Sequence, residues 1–209
     1  MDASSKDYKV LVIRRIGVVE DDLYAIYRMS SDSWRVLKEE EVQLINNDQR
    51  LAFRGSVCVN GVFYWQGLES KLLAFHLDTE VFEFIPSAGQ WGNLMALHDG
   101  RLASWEWEWD CRDYFNTGGV SLGGAVWVMN GHGGNWTKLF NIAPPGSGLS
   151  ITRMYGFWTH GKVFVEVHSD TRILYLYDIE TGEICELGFE GCPWVFYYEE
   201  SLLAVSPSP

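Results

Sequence analysis

Apolar and polar positions alternate along most of this chain, and the alternation is broken at regular intervals by short polar turns. Four segments share one shape, an apolar strand, a polar turn and a second strand: Tyr24–Leu37 (YAIYRMSSDSWRVL), Leu73–Ile85 (LAFHLDTEVFEFI), Val126–Phe140 (VWVMNGHGGNWTKLF) and Leu174–Leu187 (LYLYDIETGEICEL). Their starts lie 49, 53 and 48 residues apart. A large apolar residue opens each second strand: Trp34, Phe82, Trp136 and Ile184. The turns are built from Ser, Asp, Thr, Asn and Gly, which supply side-chain-to-backbone bonds and positive φ.

A second hairpin precedes three of these units. It reads VCVNGVFYW at Val57–Trp65, ALHDGRLASW at Ala96–Trp105 and FWTHGKVFVEV at Phe157–Val167. Asn60-Gly61, Asp99-Gly100 and His160-Gly161 sit at the turns, where a tight primed turn wants positive φ at both central residues. Two hairpins per period make a four-stranded antiparallel sheet, and a period near fifty is that of kelch-type propeller blades. The pattern therefore predicts an all-β chain, a kelch-like β-propeller or partial propeller of about four four-stranded antiparallel blades. Only Leu37–Asn46 suggests a helix. Residues 1–7 and 206–209 read as tails, with one domain over 8–205. Four blades are few for a propeller, and an array that does not close exposes a sheet face at each end.

Sixteen basic against 28 acidic residues give a net charge of −12. Phosphate backbones and anionic membranes need a basic footprint, so nucleic acid and membrane surfaces are excluded as main partners. No run of eighteen apolar residues occurs, and the start MDASSKDYK has no secretory pattern. The expected location is cytoplasmic or nuclear. The four cysteines form no CxxC pair; Cys58 and Cys185 fall in strands and are expected to be buried, reduced thiols.

Candidate chemistry is sparse. The five histidines, His76, His98, His132, His160 and His168, have no metal-ligand spacing. There is no GxSxG elbow, and the glycine clusters lack the frame of a phosphate cradle. No catalytic residue, cofactor or metal ligand is expected. The unusual segment is Ser104–Phe115 (SWEWEWDCRDYF). Period two puts Trp105, Trp107 and Trp109 on one strand face and Glu106, Glu108 and Asp110 on the other. One reading is an aromatic strand between blades with its acids solvated at an outer edge. The other is a partner-binding rim formed by Trp91, Glu106, Trp107, Glu108, Trp109, Asp110, Arg112 and Tyr114, since interfaces favour Trp, Tyr and Arg anchors. Trp34, Trp65, Trp136 and Trp158 recur at repeat positions and are expected to fill the core between blades. Loss of Trp34 or Trp136 to Ala would then cost about 3–5 kcal/mol.

In order along the chain, DYKVLVI at Asp7–Ile13, SSDSWRVL at Ser30–Leu37, VCVNGVFYW, LLAFHLDTEVFEFIP at Leu72–Pro86, the Asp99-Gly100 hairpin, WVM at Trp127–Met129, NWTKLF at Asn135–Phe140, GFW at Gly156–Trp158, LYLYD at Leu174–Asp178 and YYEESL at Tyr197–Leu202 resemble the F-box-associated interaction domain of plant F-box proteins. That broad group includes the S-locus F-box proteins of pollen. The resemblance implies the substrate-recognition module of a Skp–cullin–F-box ubiquitin ligase, non-catalytic, binding the protein to be ubiquitinated. Nothing before Asp7 has the length of F-box helices, and the family's usual first strand region with an Asn-Pro-rich turn is missing. These 209 residues alone are expected not to bind the Skp-type adaptor, which would need an F-box upstream in the full-length protein. The target is expected to be basic, complementing the acidic chain. A glycan-binding propeller and a propeller-scaffold hydrolase are the alternatives.

Overall fold

The computed structural model describes residues 7–14, 23–46, 56–67, 70–89, 93–109, 121–143, 150–159, 161–168 and 173–190. Fifteen strands and one short helix occupy them, arranged as four antiparallel sheets. The first sheet is β1 (Lys9–Arg14), β2 (Leu23–Arg28) and β3 (Ser33–Val36); helix α1 (Glu39–Asn46) follows. The second is β4 (Ser56–Val59), β5 (Val62–Gln66), β6 (Lys71–His76) and β7 (Val81–Pro86). The third is β8 (Asn93–Ala96), β9 (Leu102–Trp109), β10 (Ser121–Asn130) and β11 (Asn135–Ile142). The fourth is β12 (Ser150–Thr159), β13 (Lys162–His168), β14 (Ile173–Asp178) and β15 (Ile184–Glu190). Within each, strands neighbour in sequence order, as blades of a propeller do. All four repeat hairpins and all three preceding hairpins form where the sequence pattern places them. The first sheet has three described strands, matching the second to fourth strands of the other sheets. No helix among the described residues is long and apolar enough to cross a membrane.

Turn chemistry departs from expectation at one site. Asn60 and Gly61 are both left-handed, at φ 50 and 78, as a tight primed turn requires. At Asp99-Gly100 only Gly100 is, at φ 76. The loop is wider there, closed by Leu97 N–H to Arg101 O at 2.9 Å and Gly100 N–H to Leu97 O at 3.0 Å, with the Asp99 carboxylate accepting from Arg101 N–H at 3.1 Å. The acid supplies by hydrogen bonding what the primed turn would supply by backbone twist.

The chain divides into two compact units. In the first, the inner faces of the first two sheets share one core. Tyr24 and Ile26 of β2 meet Trp65, Leu73, Phe75 and Phe82 of the second sheet. Val42 and Ile45 of α1 join them, three residues apart on one helix face. The helix starts with a capping arrangement: the Glu41 carboxylate accepts from Lys38 N–H at 2.8 Å. Asp7 is no loose end. It is buried and accepts from Ser30 N–H and Oγ–H at 2.9 and 2.7 Å, tying the approach to β1 to the turn after β2.

The same unit holds a charge cluster around the buried Glu80 that sequence reading missed. Glu80 closes the β6–β7 turn in a left-handed conformation, φ 59. Its carboxylate takes Arg28 Nε at 3.0 Å, Arg35 Nε at 3.1 Å and the Lys9 ammonium at 3.2 Å. Arg35 also reaches Glu41 at 2.8 Å. Burial alone would raise the Glu80 carboxyl pKa; the hydrogen bonds from Arg28, Arg35 and Lys9 outweigh it and hold the group below its ordinary value.

In the second unit, the third and fourth sheets share a core of Trp105, Val126, Ile142, Ile151, Met154, Val163, Val165, Val167 and Tyr177.

Three expectations about burial are corrected. Trp34 and Trp158 are each 58% exposed, so they are not core. Both sit on the sheet face turned away from the shared core of their unit. Trp136 is half-buried, its indole N–H donating to Pro86 O at 2.9 Å, while Trp65 is buried as expected. Cys58 and Cys185 are exposed. They lie on β4 and β15, each the outermost described strand of its sheet, with no neighbouring strand on one flank among the described residues.

Candidate interaction surface

β9 runs between β8 and β10, pairing Leu102–Trp105 with β8 and continuing against β10 as far as Trp109 opposite Ser121. It is thus an interior strand for half its length, not an outer edge. Alternation holds where side chains are described. Trp105 points into the core of the unit and is fully buried. Ser104 and Glu106 take the opposite face. Ser104 is itself fully buried, and its hydroxyl donates to Glu106 Oε1 at 2.9 Å. Glu106 is half-buried, and a Cβ added to Gly89 would meet its carboxylate oxygen at 2.1 Å. The acid is therefore seated against the backbone at Gly89 rather than freely solvated.

Of the other sequence-derived interface residues, Trp107, Glu108 and Trp109 lie in β9 by backbone, with side chains outside the described residues. Trp91, Asp110, Arg112 and Tyr114 lie outside the described residues altogether.

β9 and β10 approach closely at one point. A Cβ on Gly124 would come within 2.4 Å of Glu106 O and 2.7 Å of the Trp105 ring. The register between the strands shifts between Ser121 and Gly124, so a bulge lets β10 bend past the indole. Gly124→Ala is expected to destabilise the fold by about 1–3 kcal/mol through overpacking. Gly133→Ala, where a Cβ meets nothing closer than 4.0 Å, serves as the near-neutral control in the same thermal melts. Equal melting temperatures for the two variants would contradict the close approach.

A second polar cluster lies in the fourth sheet. Tyr155 Oη–H donates to Glu166 Oε2 at 2.6 Å, and Arg153 sits 5.8 Å from the Tyr155 ring centre. Burial first, and then the Glu166 carboxylate, push the Tyr155 hydroxyl up to about 12. Its members come from two strands paired through irregular register, so no local pattern in the sequence signals it. Among the described residues, no group of three or more His, Cys, Asp or Glu side chains is placed to hold a metal ion.

Four antiparallel sheets, each with its strands neighbouring in sequence order, define a propeller-type domain. The sequence profile of the F-box associated beta propeller domain matches residues 1–205, and the chain belongs to that family. No curated protein matches it. Among solved structures it is similar to the extracellular domain of the one-component system BT4673 from B. thetaiotaomicron, at 13% identity and TM-score 0.42, covering 81% of this chain and 21% of that one. It is also similar to an oligogalacturonate lyase in complex with manganese, at 16% identity and TM-score 0.41, covering 86% of this chain and 61% of that one. The chain thus spans less than two thirds of either protein.

Proposed function

We propose that this chain is the non-catalytic, target-binding part of a Skp–cullin–F-box ubiquitin ligase, acting in the cytoplasm or nucleus. Family membership supports it: in such proteins an F-box docks the adaptor, and the associated propeller holds the protein to be ubiquitinated. The observation that carries the choice of surface is β9. Its buried Trp105 fixes the strand, while Glu106 projects from the opposite face and the strand runs on past Asn93, the first described residue of β8. Glu108 belongs to the same alternation of Trp and Glu in the sequence. With a net charge of −12, this edge suits a basic target protein.

Complementary charge acts mainly on the association rate, and it is screened over about 8 Å at physiological salt. The expected result is an on-rate that falls several-fold as salt rises, with dissociation little changed. The double variant Glu106→Gln, Glu108→Gln loses part of that salt dependence and still folds, since Gln keeps an acceptor for the Ser104 hydroxyl. Surface plasmon resonance across a salt series checks this. A salt-independent on-rate, or unaltered binding by the double variant, would remove β9 as the recognition edge.

A further inference from the structure

The first sheet wears its polarity inside out. Cross-strand register places Lys9, Arg28 and Arg35 on the face that meets the second sheet, where Glu80 gathers them. The outward face carries the rows Val10–Tyr27–Trp34 and Val12–Ala25–Val36. Val10 is 51%, Trp34 58% and Val36 60% exposed. A sheet face turned to water is normally the polar one.

The repeat itself says what covers such a face. The Tyr27–Trp34 pair, with ring centres 5.2 Å apart, stands one residue in from the turn of its hairpin. Phe75 and Phe82, 4.5 Å apart, hold the same place in the second sheet, and Tyr177 and Ile184 hold it in the fourth. Both of those pairs belong to the core shared with the preceding sheet of their unit. Phe82 meets Tyr24 of the first sheet edge-on at 6.4 Å. In the second and fourth sheets the position is thus a knob offered to the preceding sheet of the same unit, and on the first sheet its Trp34 is 58% exposed.

The matching socket is also present. Tyr24, Ile26 and Leu11 of the first sheet receive the second. The repeat puts Leu174, Leu176 and Phe164 at the equivalent places of the fourth sheet, on the face away from its shared core; Leu174 is buried there, and Leu176 and Phe164 are half-buried. Trp158 packs edge-on against Phe164 at 5.4 Å there, and is itself more than half exposed.

We infer that the chain self-associates head to tail: the Tyr27–Trp34 face of one copy stacks on the Trp158–Phe164–Leu176 face of a second copy. The contact repeats, between molecules, the stacking already used within each unit. It is heterologous, with different surfaces on the two copies. Two strands of six residues and one of four span at most roughly 14 by 20 Å, well below the area of a standard stable interface. Association through one such contact is therefore weak and concentration-dependent.

Sedimentation velocity of the full 209-residue chain over a wide concentration range tests this, with an average mass that rises with concentration. Val36→Asp on one face and Trp158→Asp on the other should each weaken self-association roughly tenfold or more, because each buries a charge in an apolar contact. Both side chains are exposed in the single chain, so circular dichroism and melting should stay unchanged. Val10→Lys is a second variant of the first face should Val36→Asp not fold. The decisive sample is an equimolar mixture of Val36→Asp and Trp158→Asp. Each retains the face the other lacks, so the mixture should form one-to-one pairs that grow no further. A chain that stays monomeric at every concentration overturns the inference. So does association that Val36→Asp abolishes and Trp158→Asp leaves intact, which would mean that like faces meet.

Discussion

Glu80→Gln is expected to lower the stability of the fold by about 3 kcal/mol, because it removes the carboxylate that Lys9, Arg28 and Arg35 share. The Lys9 ammonium is the group left in difficulty. Its side chain is only 6% exposed, against 42% for Arg28 and 37% for Arg35. The two guanidiniums are partly screened by water and contribute less. The Leu77 carbonyl still accepts from Lys9, but it carries no charge. The left-handed backbone at residue 80 is no obstacle to the change, since Gln tolerates it as Glu does.

The same carboxylate ties stability to pH. Its pKa in the folded chain lies below the ordinary 4.5. Its contribution is therefore fully present above that value and is lost as pH falls through the folded value. Wild-type stability should drop in that acidic window, and the Glu80→Gln curve should be shallower there. Asp7, Glu41, Asp99 and Asp178 are also held below their ordinary values, so some slope remains in the variant. Urea titrations of both proteins at neutral and acidic pH read this directly. Coincident midpoints at neutral pH, or parallel curves in acid, would show that the cluster is a surface ornament.

Trp105→Ala carries an equally large expected loss, about 3–5 kcal/mol. The indole is fully buried at the centre of the core shared by the third and fourth sheets. The close approach of Gly124 to its ring leaves no larger neighbour to fill the space. Trp105→Phe should recover part of the loss by restoring some of that volume. Calorimetric melting of the three proteins gives the order wild type, Phe, Ala. A melting temperature unchanged in the Ala variant would place the indole in water and reverse the assignment of the two β9 faces.

How far the sequence was legible follows from the range of the forces involved. The hairpins were readable because a turn such as Asn60-Gly61 is decided by its own residues and by alternation on either side. Helix α1 was readable because Val42 and Ile45 recur at helical spacing between polar residues. Burial was not readable at Trp34, although it shares its repeat position with Phe82. Phe82 packs against Tyr24 of the first sheet whereas Trp34 is 58% exposed, and that difference lies in the neighbours of each position rather than in the residue. The Glu80 cluster was hidden for another reason. Its cations lie 45 to 71 positions earlier in the chain, and only the stacking of two sheets brings them to one carboxylate. In the candidate interface, alternation placed Trp105 and Glu106 on opposite faces correctly. It did not foresee that Ser104 and the backbone at Gly89 would hold the acid in place.

The central claim is that this propeller domain selects a protein for ubiquitination. Its most direct test joins an F-box ahead of the chain and reconstitutes the ligase with Skp-type adaptor, cullin and a bound target protein. The account predicts that ubiquitin is built on the target, that the reaction needs the propeller domain, and that Glu106→Gln with Glu108→Gln slows it more at low salt than at high. A target that binds the domain yet is never modified in the assembled ligase, or modification at the same rate without the domain, would contradict it.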